Sequence, residues 1–153
     1  MNSLPILYSF RRCPFAIRTR MSLVEAGINV ELREVLLKHK PVEMLNVSPR
    51  GTVPVLINSS ENDEVLDESL DIMRWALDIR DPGHWLDSIV EAAPLLHRLD
   101  HNFKNDLDRY KYFVNYPEHP QIYYRALGEK FLAKLEDSLL LNDGLGICDA
   151  RTT

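Results

Sequence analysis

The chain has 153 residues and a formal net charge of −5, with 45% hydrophobic and 27% charged residues. This composition is ordinary for a globular protein of one or two small domains, and the negative charge argues against nucleic acid as a general partner. The two cysteines, Cys13 and Cys148, do not make a disulfide framework. No run approaches the roughly 18 apolar residues of a membrane helix, and the N-terminus lacks the segments of a signal peptide. We therefore expect a cytoplasmic protein with reduced thiols and no membrane partner.

The first predicted element is a buried strand over residues 4–10, an apolar run with Pro5 at its start. A helix over 14–26 follows, and Gly27 is placed to end it. Apolar residues at i, i+4 and i+7 predict the buried face of this helix, which consists of Ile17, Met21 and Val24.

Cys13 lies where this strand turns into this helix, with Pro14 at the first helical position. A sulfur there faces unpaired backbone N–H groups and the positive end of the helix dipole, and Arg11 and Arg12 add positive charge. These effects favour the thiolate, so we predict that Cys13 is a nucleophile rather than a small buried hydrophobic residue. Because Ala16 occupies the fourth position of a Cys-x-x-Cys motif, where the second cysteine would be, the second thiol must come from outside. Glutathione is the obvious cytosolic donor.

A second strand is predicted over residues 30–37, where apolar and polar residues alternate before an apolar run. Because a helix joins it to the first strand, the two strands are expected to be parallel. A short helix over 42–46 and a turn over 48–52 come next.

The third predicted strand, over residues 53–57, has a proline inside it. A proline normally demotes a strand, but a cis Val53–Pro54 bond at the strand start would explain it and would turn the backbone toward a ligand. After a polar loop over 58–63, residues 64–67 are predicted to form a hairpin with this strand.

A third helix is predicted over residues 69–80. Ser69 is placed to cap it, and Asp71 suits its first turn. Its apolar stripe consists of Ile72, Trp75, Ala76 and Ile79. The element order β-α-β-α-β-β-α predicts an α/β sandwich.

Asp81, Pro82 and Gly83 mark the clearest boundary in the chain. We predict a first domain over 1–80, a linker over 81–87 and a partial all-helical domain over 88–153. Trp85 and Leu86 are expected to hold the linker against the first domain.

Two helices are predicted in the second domain, a long one over 88–115 and another over 121–141. The apolar stripe of the first consists of Ile89, Ala92, Leu96, Leu99, Phe103, Leu107, Tyr110 and Val114. The apolar face of the second consists of Tyr124, Leu127, Phe131 and Leu135.

Three motifs in the first domain carry a family resemblance: Cys13-Pro14-Phe15-Ala16, Val53-Pro54-Val55-Leu56 and Asp67-Glu68-Ser69. In this order and spacing, residues 4–80 resemble the N-terminal domain of glutathione transferases, above all the Cys-type members of the omega class and related bacterial proteins. The resemblance implies an α/β, thioredoxin-like first domain and an all-helical second domain. The family's helical domain continues through several more helices, so the second domain is expected to be incomplete here.

The resemblance also implies a glutathione site, with glutathione as co-substrate. Cys13 corresponds to the catalytic cysteine that faces, or bonds to, the glutathione sulfur. The implied glutathione-binding residues are Phe15, Lys40, Val53, Pro54, Glu68 and Ser69.

The implied roles agree with the chemistry of an extended tripeptide. Lys40 matches a lysine that contacts the glycyl carboxylate, and the Val53 backbone pairs with the cysteinyl part, a form of strand addition. Glu68 and Ser69 match the pair that holds the γ-glutamyl end, where the ammonium suits the carboxylate and the ligand carboxylate suits the hydroxyl and the helix N-terminus.

The function implied first is glutathione-dependent thiol transfer on a small disulfide substrate, by a homodimer. Conjugation of glutathione to a small electrophile is the second enzymatic option. The alternative is a non-catalytic binding module of the stringent-starvation type, which binds RNA polymerase. Cys13 weighs against that alternative, and the short second domain weighs for it.

Three further features compete with this site. Tyr8 and Ser9 match the nucleophile positions of other classes, but neither lies at the helix start. His97 and His101 are spaced i, i+4, yet no third ligand is evident, so no metal is expected.

Overall fold

The computed structural model describes residues 4–58, 64–144 and 146–147. The chain divides into two compact units between Leu86 and Asp87. Cys148 and nearly all of the predicted loop 58–63 lie outside the described residues.

A mixed four-stranded sheet forms the centre of the first unit. Its strands are β1 (Ile6–Ser9), β2 (Glu31–Glu34), β3 (Val55–Asn58) and β4 (Glu64–Leu66). Their spatial order is β2-β1-β3-β4, with β2 parallel to β1 and with β3 antiparallel to β1 and β4. The helices are α1 (Pro14–Ala26), α2 (Val42–Val47) and α3 (Ser69–Ile79). The predicted thioredoxin-like architecture is confirmed.

The sheet has an apolar core on each face, because successive side chains of a strand point to opposite sides. Leu7 and Leu56 are paired across β1 and β3, and they pack on one face with residues of α1 and α3. Tyr8 and Val55, the next pair, pack on the other face with Met44 of α2. Helices α1 and α3 therefore cover one face of the sheet and α2 covers the other.

The predicted buried face of α1 is wrong. Ile17, Met21 and Val24 are exposed. The residues that α1 buries are Ala16, Thr19, Ser22, Leu23 and Ala26. Four of these side chains are small, which allows α1 to pack closely against α3 and the sheet. The buried hydroxyls cost little because Thr19 and Ser22 donate hydrogen bonds to carbonyls of their own helix.

All four strands differ from their predicted bounds, and β1, β2 and β4 are shorter at one end or both. For β2 and β3 the structure gives a local reason. The segment 30–37 is β-strand only to Glu34, because a turn follows in which Leu36 and His39 form an isolated bridge. The third strand begins at Val55, so Val53 and Pro54 lie before the hydrogen-bonded part of the sheet. Proline has no backbone N–H group and could not donate a hydrogen bond between strands. The predicted hairpin between β3 and β4 is confirmed.

Helix α3 ends one residue before its predicted limit, since Arg80 has extended backbone angles. Of its predicted stripe, Ile72 and Ala76 are buried and Trp75 packs against the same core. Ile79, in the last turn, is exposed, which corrects that part of the prediction. Beyond the helix, the Asp81 carboxylate accepts the backbone N–H groups of Trp85 and Leu86 at 2.9 and 2.8 Å.

The second unit is helical, and the long helix predicted over 88–115 is divided into segments. The structure has α4 (Ile89–His97), a π-helical segment (Arg98–Phe103), α5 (Lys104–Lys111) and a 3-10 turn (Phe113–Asn115). Pro94 removes one N–H group from α4, and the wider π turns follow it. Val114, assigned to the apolar stripe, lies beyond α5 and is exposed.

Helix α6 (Gln121–Leu141) has the predicted bounds. Tyr124 and Phe131 of its predicted apolar face are buried, and Phe103 stacks on Phe131 with ring centroids 5.0 Å apart. Among the described residues, no helix is long and apolar enough to cross a membrane.

Candidate functional site

Cys13 lies between β1 and α1, where its backbone is still extended. It is the N-cap residue of α1, with φ −76° and ψ 122°, and Pro14 takes the first helical turn as predicted. The Cys13 side chain makes no capping hydrogen bond to this helix, so the first N–H groups of α1 can face an anion near the sulfur. The Cys13 side chain is half-buried, and its thiol donates to the Val53 carbonyl oxygen at 3.6 Å.

The Val53–Pro54 peptide bond is cis, as predicted. Val53 is half-buried and Pro54 is buried, directly before β3. The contact from Cys13 to the Val53 carbonyl therefore brings together the first two sequence motifs, which are separated by 40 positions.

The third motif differs from its prediction in one respect. Glu68, rather than Ser69, is the N-cap residue of α3, and it makes no side-chain capping hydrogen bond. Ser69 is the first helical residue and is only 3% exposed. Its hydroxyl oxygen accepts hydrogen bonds from Nε and Nη2 of Arg18, at 3.0 and 2.7 Å. The hydroxyl is thus directed at α1 instead of at the end of its own helix.

The hydrogen bonds from Arg18 determine which further hydrogen bonds the Ser69 hydroxyl can make. A hydroxyl has two acceptor lone pairs and one donor hydrogen. Because two guanidinium N–H groups fill its acceptor capacity, the Ser69 hydroxyl is left as a donor, which suits a carboxylate rather than an ammonium group. The Arg18 guanidinium also lies over the Phe15 ring, 4.9 Å from its centroid.

Arg50 organises the acidic side of the site. Its guanidinium binds Glu68 at 2.7 Å and approaches a carboxylate oxygen of Asp67 at 3.4 Å. The hydrogen bond to Glu68 and the charge of Asp67 raise the pKa of Arg50 further above its ordinary value. Asp67 also accepts a hydrogen bond from the buried Ser48 hydroxyl at 2.8 Å.

These groups line a pocket of about 180 Å³ in the first unit. Its lining residues are Phe15, Arg50, Thr52, Val53, Pro54, Asp67, Glu68 and Ser69. The structure thus brings five of the predicted site residues to one pocket, and Cys13 adjoins it through Val53. The helical unit has larger apolar cavities, of about 320 and 440 Å³, and none of the predicted site residues lines them.

Lys40 does not line this pocket. Its ammonium group lies beside Gly51: a Cβ atom added to Gly51 would be 3.3 Å from the Lys40 Nζ. It is exposed at the start of the segment that leads to Val53.

Sequence reasoning missed Arg18 and Arg50, whose guanidinium groups bind Ser69 and Glu68. Asp67 belongs to the third motif, but the resemblance assigns it no role in binding. No sequence signal marks Arg18 or Arg50, because each binds a residue more than ten positions away.

The competing residues lie elsewhere. Tyr8 is 1% exposed, and its hydroxyl accepts from Nη1 of Arg33 at 3.0 Å. The Ser9 hydroxyl is fully buried and accepts from Arg20. The rings of His97 and His101 are 4.4 Å apart, but the described part of the chain has no group of three side chains that could hold a metal ion.

Comparisons with known sequences identify relatives of the first unit. A sequence model described as "Glutathione S-transferase, N-terminal domain" matches residues 7–85. Glutathione S-transferase omega-1 of Mus musculus is 49% identical over 53 residues, which is 35% of this chain and 22% of that protein. The probable glutathione transferase of Aplysia californica is 37% identical over 49 residues, which is 32% of this chain and 53% of that protein. The alignment with the omega-class relative thus covers about a fifth of its length.

Solved structures are similar over both units. Glutathione transferase Omega 3C from Trametes versicolor has a TM-score of 0.75 at 20% identity, covering 96% of this chain and 66% of that chain. A glutathione S-transferase from the Antarctic clam Laternula elliptica has a TM-score of 0.71 at 21% identity, covering 96% and 71%. At such identities, the similarity shows the fold alone.

Proposed function

Because the chain belongs to the glutathione transferase family, we propose that it is a glutathione-dependent thiol transferase that acts through Cys13. The observation that carries this proposal is the contact of the Cys13 sulfur with the Val53 carbonyl, 3.6 Å away at the edge of the pocket. A glutathione paired with the Val53 backbone would place its own sulfur beside Cys13.

The proposed reaction has two thiol–disulfide exchanges. In the first, the Cys13 thiolate attacks the glutathionyl sulfur of a mixed disulfide, that disulfide breaks, and the other half leaves as a thiolate. In the second, a glutathione thiolate attacks the glutathionyl sulfur bound to Cys13, which releases the cysteine and forms glutathione disulfide. Each step replaces one S–S bond by another, so no external oxidant is required.

The remaining residues are proposed to hold glutathione. Glu68 would bind the ammonium group and Ser69 would donate to the carboxylate of the γ-glutamyl end, with Phe15 beside them. Lys40 would reach the glycyl carboxylate, and Val53 and Pro54 would present the strand edge. Glutathione is the co-substrate that the family supports, and the transferase homologue from Sulfitobacter was solved with bound glutathione.

The finer assignments extend the same proposal. The substrate would be a small disulfide, or a small electrophile if conjugation competes. A cytoplasmic homodimer fits the family and the expected need for reduced thiols. Cys13 at the pocket edge favours this enzymatic proposal over the non-catalytic binding module.

Cys13→Ala tests the proposal, with Cys148→Ala as the matched control. In an assay with a glutathionyl mixed disulfide of a small thiol, we expect Cys13→Ala to lose exchange and Cys148→Ala to retain it. Intact mass measurement should find one glutathionyl group on the wild type and none on Cys13→Ala. Full exchange activity in Cys13→Ala would contradict the proposal.

A further inference from the structure

Arg20 of α1 reaches back to the loop that carries Cys13. Its Nη1 donates to the Ser9 hydroxyl at 2.6 Å and approaches the Phe10 carbonyl at 3.5 Å. Its Nη2 donates to the Arg11 carbonyl at 3.0 Å. One guanidinium therefore contacts three consecutive residues, Ser9 to Arg11, which precede Cys13 with only Arg12 between.

The loop is also held from the side of β2 and from the cysteine itself. The Arg11 N–H donates to the Glu34 carboxylate at 2.9 Å. The Cys13 N–H donates to the Phe10 carbonyl at 3.0 Å, so Cys13 and Arg20 share one acceptor. Because the guanidinium fork is planar and its donors are fixed relative to one another, it constrains these oxygens more than a single donor would.

We infer that Arg20 is a positioning residue, which fixes the loop over residues 9–12 and thereby the place of the Cys13 sulfur. The inference rests on the proposed function of Cys13. Arg20 is not among the residues that line the pocket, although Phe15 of the same helix is. Its loss should therefore displace the sulfur without removing a group that binds glutathione.

This arrangement predicts that the loss of Arg20 lowers kcat much more than it changes KM. A displacement of the reacting atoms by about 1 Å can cost about 100-fold in rate. We expect Arg20→Met to lower kcat for disulfide exchange by about tenfold to 100-fold. The KM for glutathione should change by less than about threefold, because uniform binding is retained.

Four further variants separate positioning from charge and from general stability. Arg20→Lys keeps the charge but loses the fork, and it should recover part of the rate that Arg20→Met loses. Arg12→Met removes a positive charge from the same loop, where Arg12 lies over the Phe10 ring at 5.4 Å, and should cost less than Arg20→Met. Arg74→Met removes a surface arginine paired with Asp71 on α3 and should leave exchange unchanged. Glu34→Ala removes the second tether and should lower kcat in the same direction, even if Arg20→Met fails to fold.

The experiment measures kcat and KM for exchange and the rate of Cys13 alkylation by iodoacetamide at neutral pH, in every variant. Slower alkylation and lower kcat in Arg20→Met than in Arg74→Met, with KM retained, support the inference. Equal losses in Arg12→Met and Arg20→Met, or a rise in KM alone, would overturn it. Exchange that survives in Cys13→Ala would instead refute the proposed function, and the alkylation rates would still decide whether Arg20 positions Cys13.

Discussion

Ser69→Ala separates the structural role of this hydroxyl from its proposed binding role. The change removes the acceptor of two Arg18 hydrogen bonds, at 3.0 and 2.7 Å. Hydrogen bonds to charged groups contribute about 1.5–3 kcal/mol each. Since Arg18 is only half-buried and water can replace part of the loss, we expect a decrease of about 1.5 kcal/mol in the free energy of unfolding. The lost donor to the glutathione carboxylate should weaken binding by about tenfold to 100-fold.

Ser22→Ala is the matched control for this change. Ser22 is also a buried helical serine, but its hydroxyl donates within α1 to the Thr19 carbonyl at 2.9 Å. It should lose about 1 kcal/mol of stability or less and bind glutathione as the wild type does. Urea unfolding and calorimetric titration with reduced glutathione measure the two quantities. Wild-type affinity in Ser69→Ala, or an equal loss of affinity in both variants, would refute the assignment.

Two further predictions concern the two units separately. Leu56→Ala should lower the free energy of unfolding by about 2–5 kcal/mol in a urea titration, because Leu56 is fully buried in the core beneath α1 and α3. A loss under about 1 kcal/mol would contradict that placement. Asp106→Asn should raise the unfolding midpoint at neutral pH, because burial raises the pKa of Asp106 above 3.8 despite the opposing charge of Arg109. Above the pKa that Asp106 has in the folded protein, its ionised carboxylate lowers the stability of the wild type; below the pKa of Asp106 in the unfolded chain it has no effect. In thermal melts of the wild type and Asp106→Asn, the difference between the two unfolding midpoints should therefore vanish at about pH 3 and below.

The ends of the elements were predictable where local chemistry sets them. Pro14 and Gly27 bracket α1, and Gly27 takes the left-handed conformation, with φ 69°, that a helix stop of this kind uses. Pro120 and the turn after residue 141 bracket α6 in the same way. The segment 88–115 has no such internal signal apart from Pro94, so its division into α and π segments could not be predicted from apolar spacing.

The buried face of α1 was not predictable from hydrophobicity. The helix packs on a crowded face, between the sheet and α3, where small side chains fit better than large ones. Ala16 and Ala26 therefore face inward while Met21 and Val24 face outward. A stripe of large apolar residues predicts burial only when the neighbouring element leaves room for it, and that depends on the tertiary structure.

The same limit applies to the candidate site. Backbone motifs fixed the positions of Cys13, the cis Val53–Pro54 bond and Glu68, because each depends on a local turn or helix start. Arg18 and Arg50 bind Ser69 and Glu68, which are far away in the sequence. No fixed sequence spacing relates a flexible arginine to such a partner, so the partner cannot be deduced from the sequence. Ser69 illustrates the consequence, since its local sequence favours a cap and its hydroxyl is instead bound by Arg18.

Helix α1 connects the two halves of the site through the spacing of two of its arginines. Residues two positions apart on an α-helix point about 200° away from each other. Arg18 accordingly binds Ser69 beside the pocket, while Arg20 binds the loop before Cys13 on the other side. Thr19, between them, is fully buried. A rotation of α1 about its own axis would therefore move Arg18 and Arg20 together, and with them the Ser69 hydroxyl and the loop before Cys13. Such a rotation would couple the proposed binding of glutathione to the position of the Cys13 sulfur.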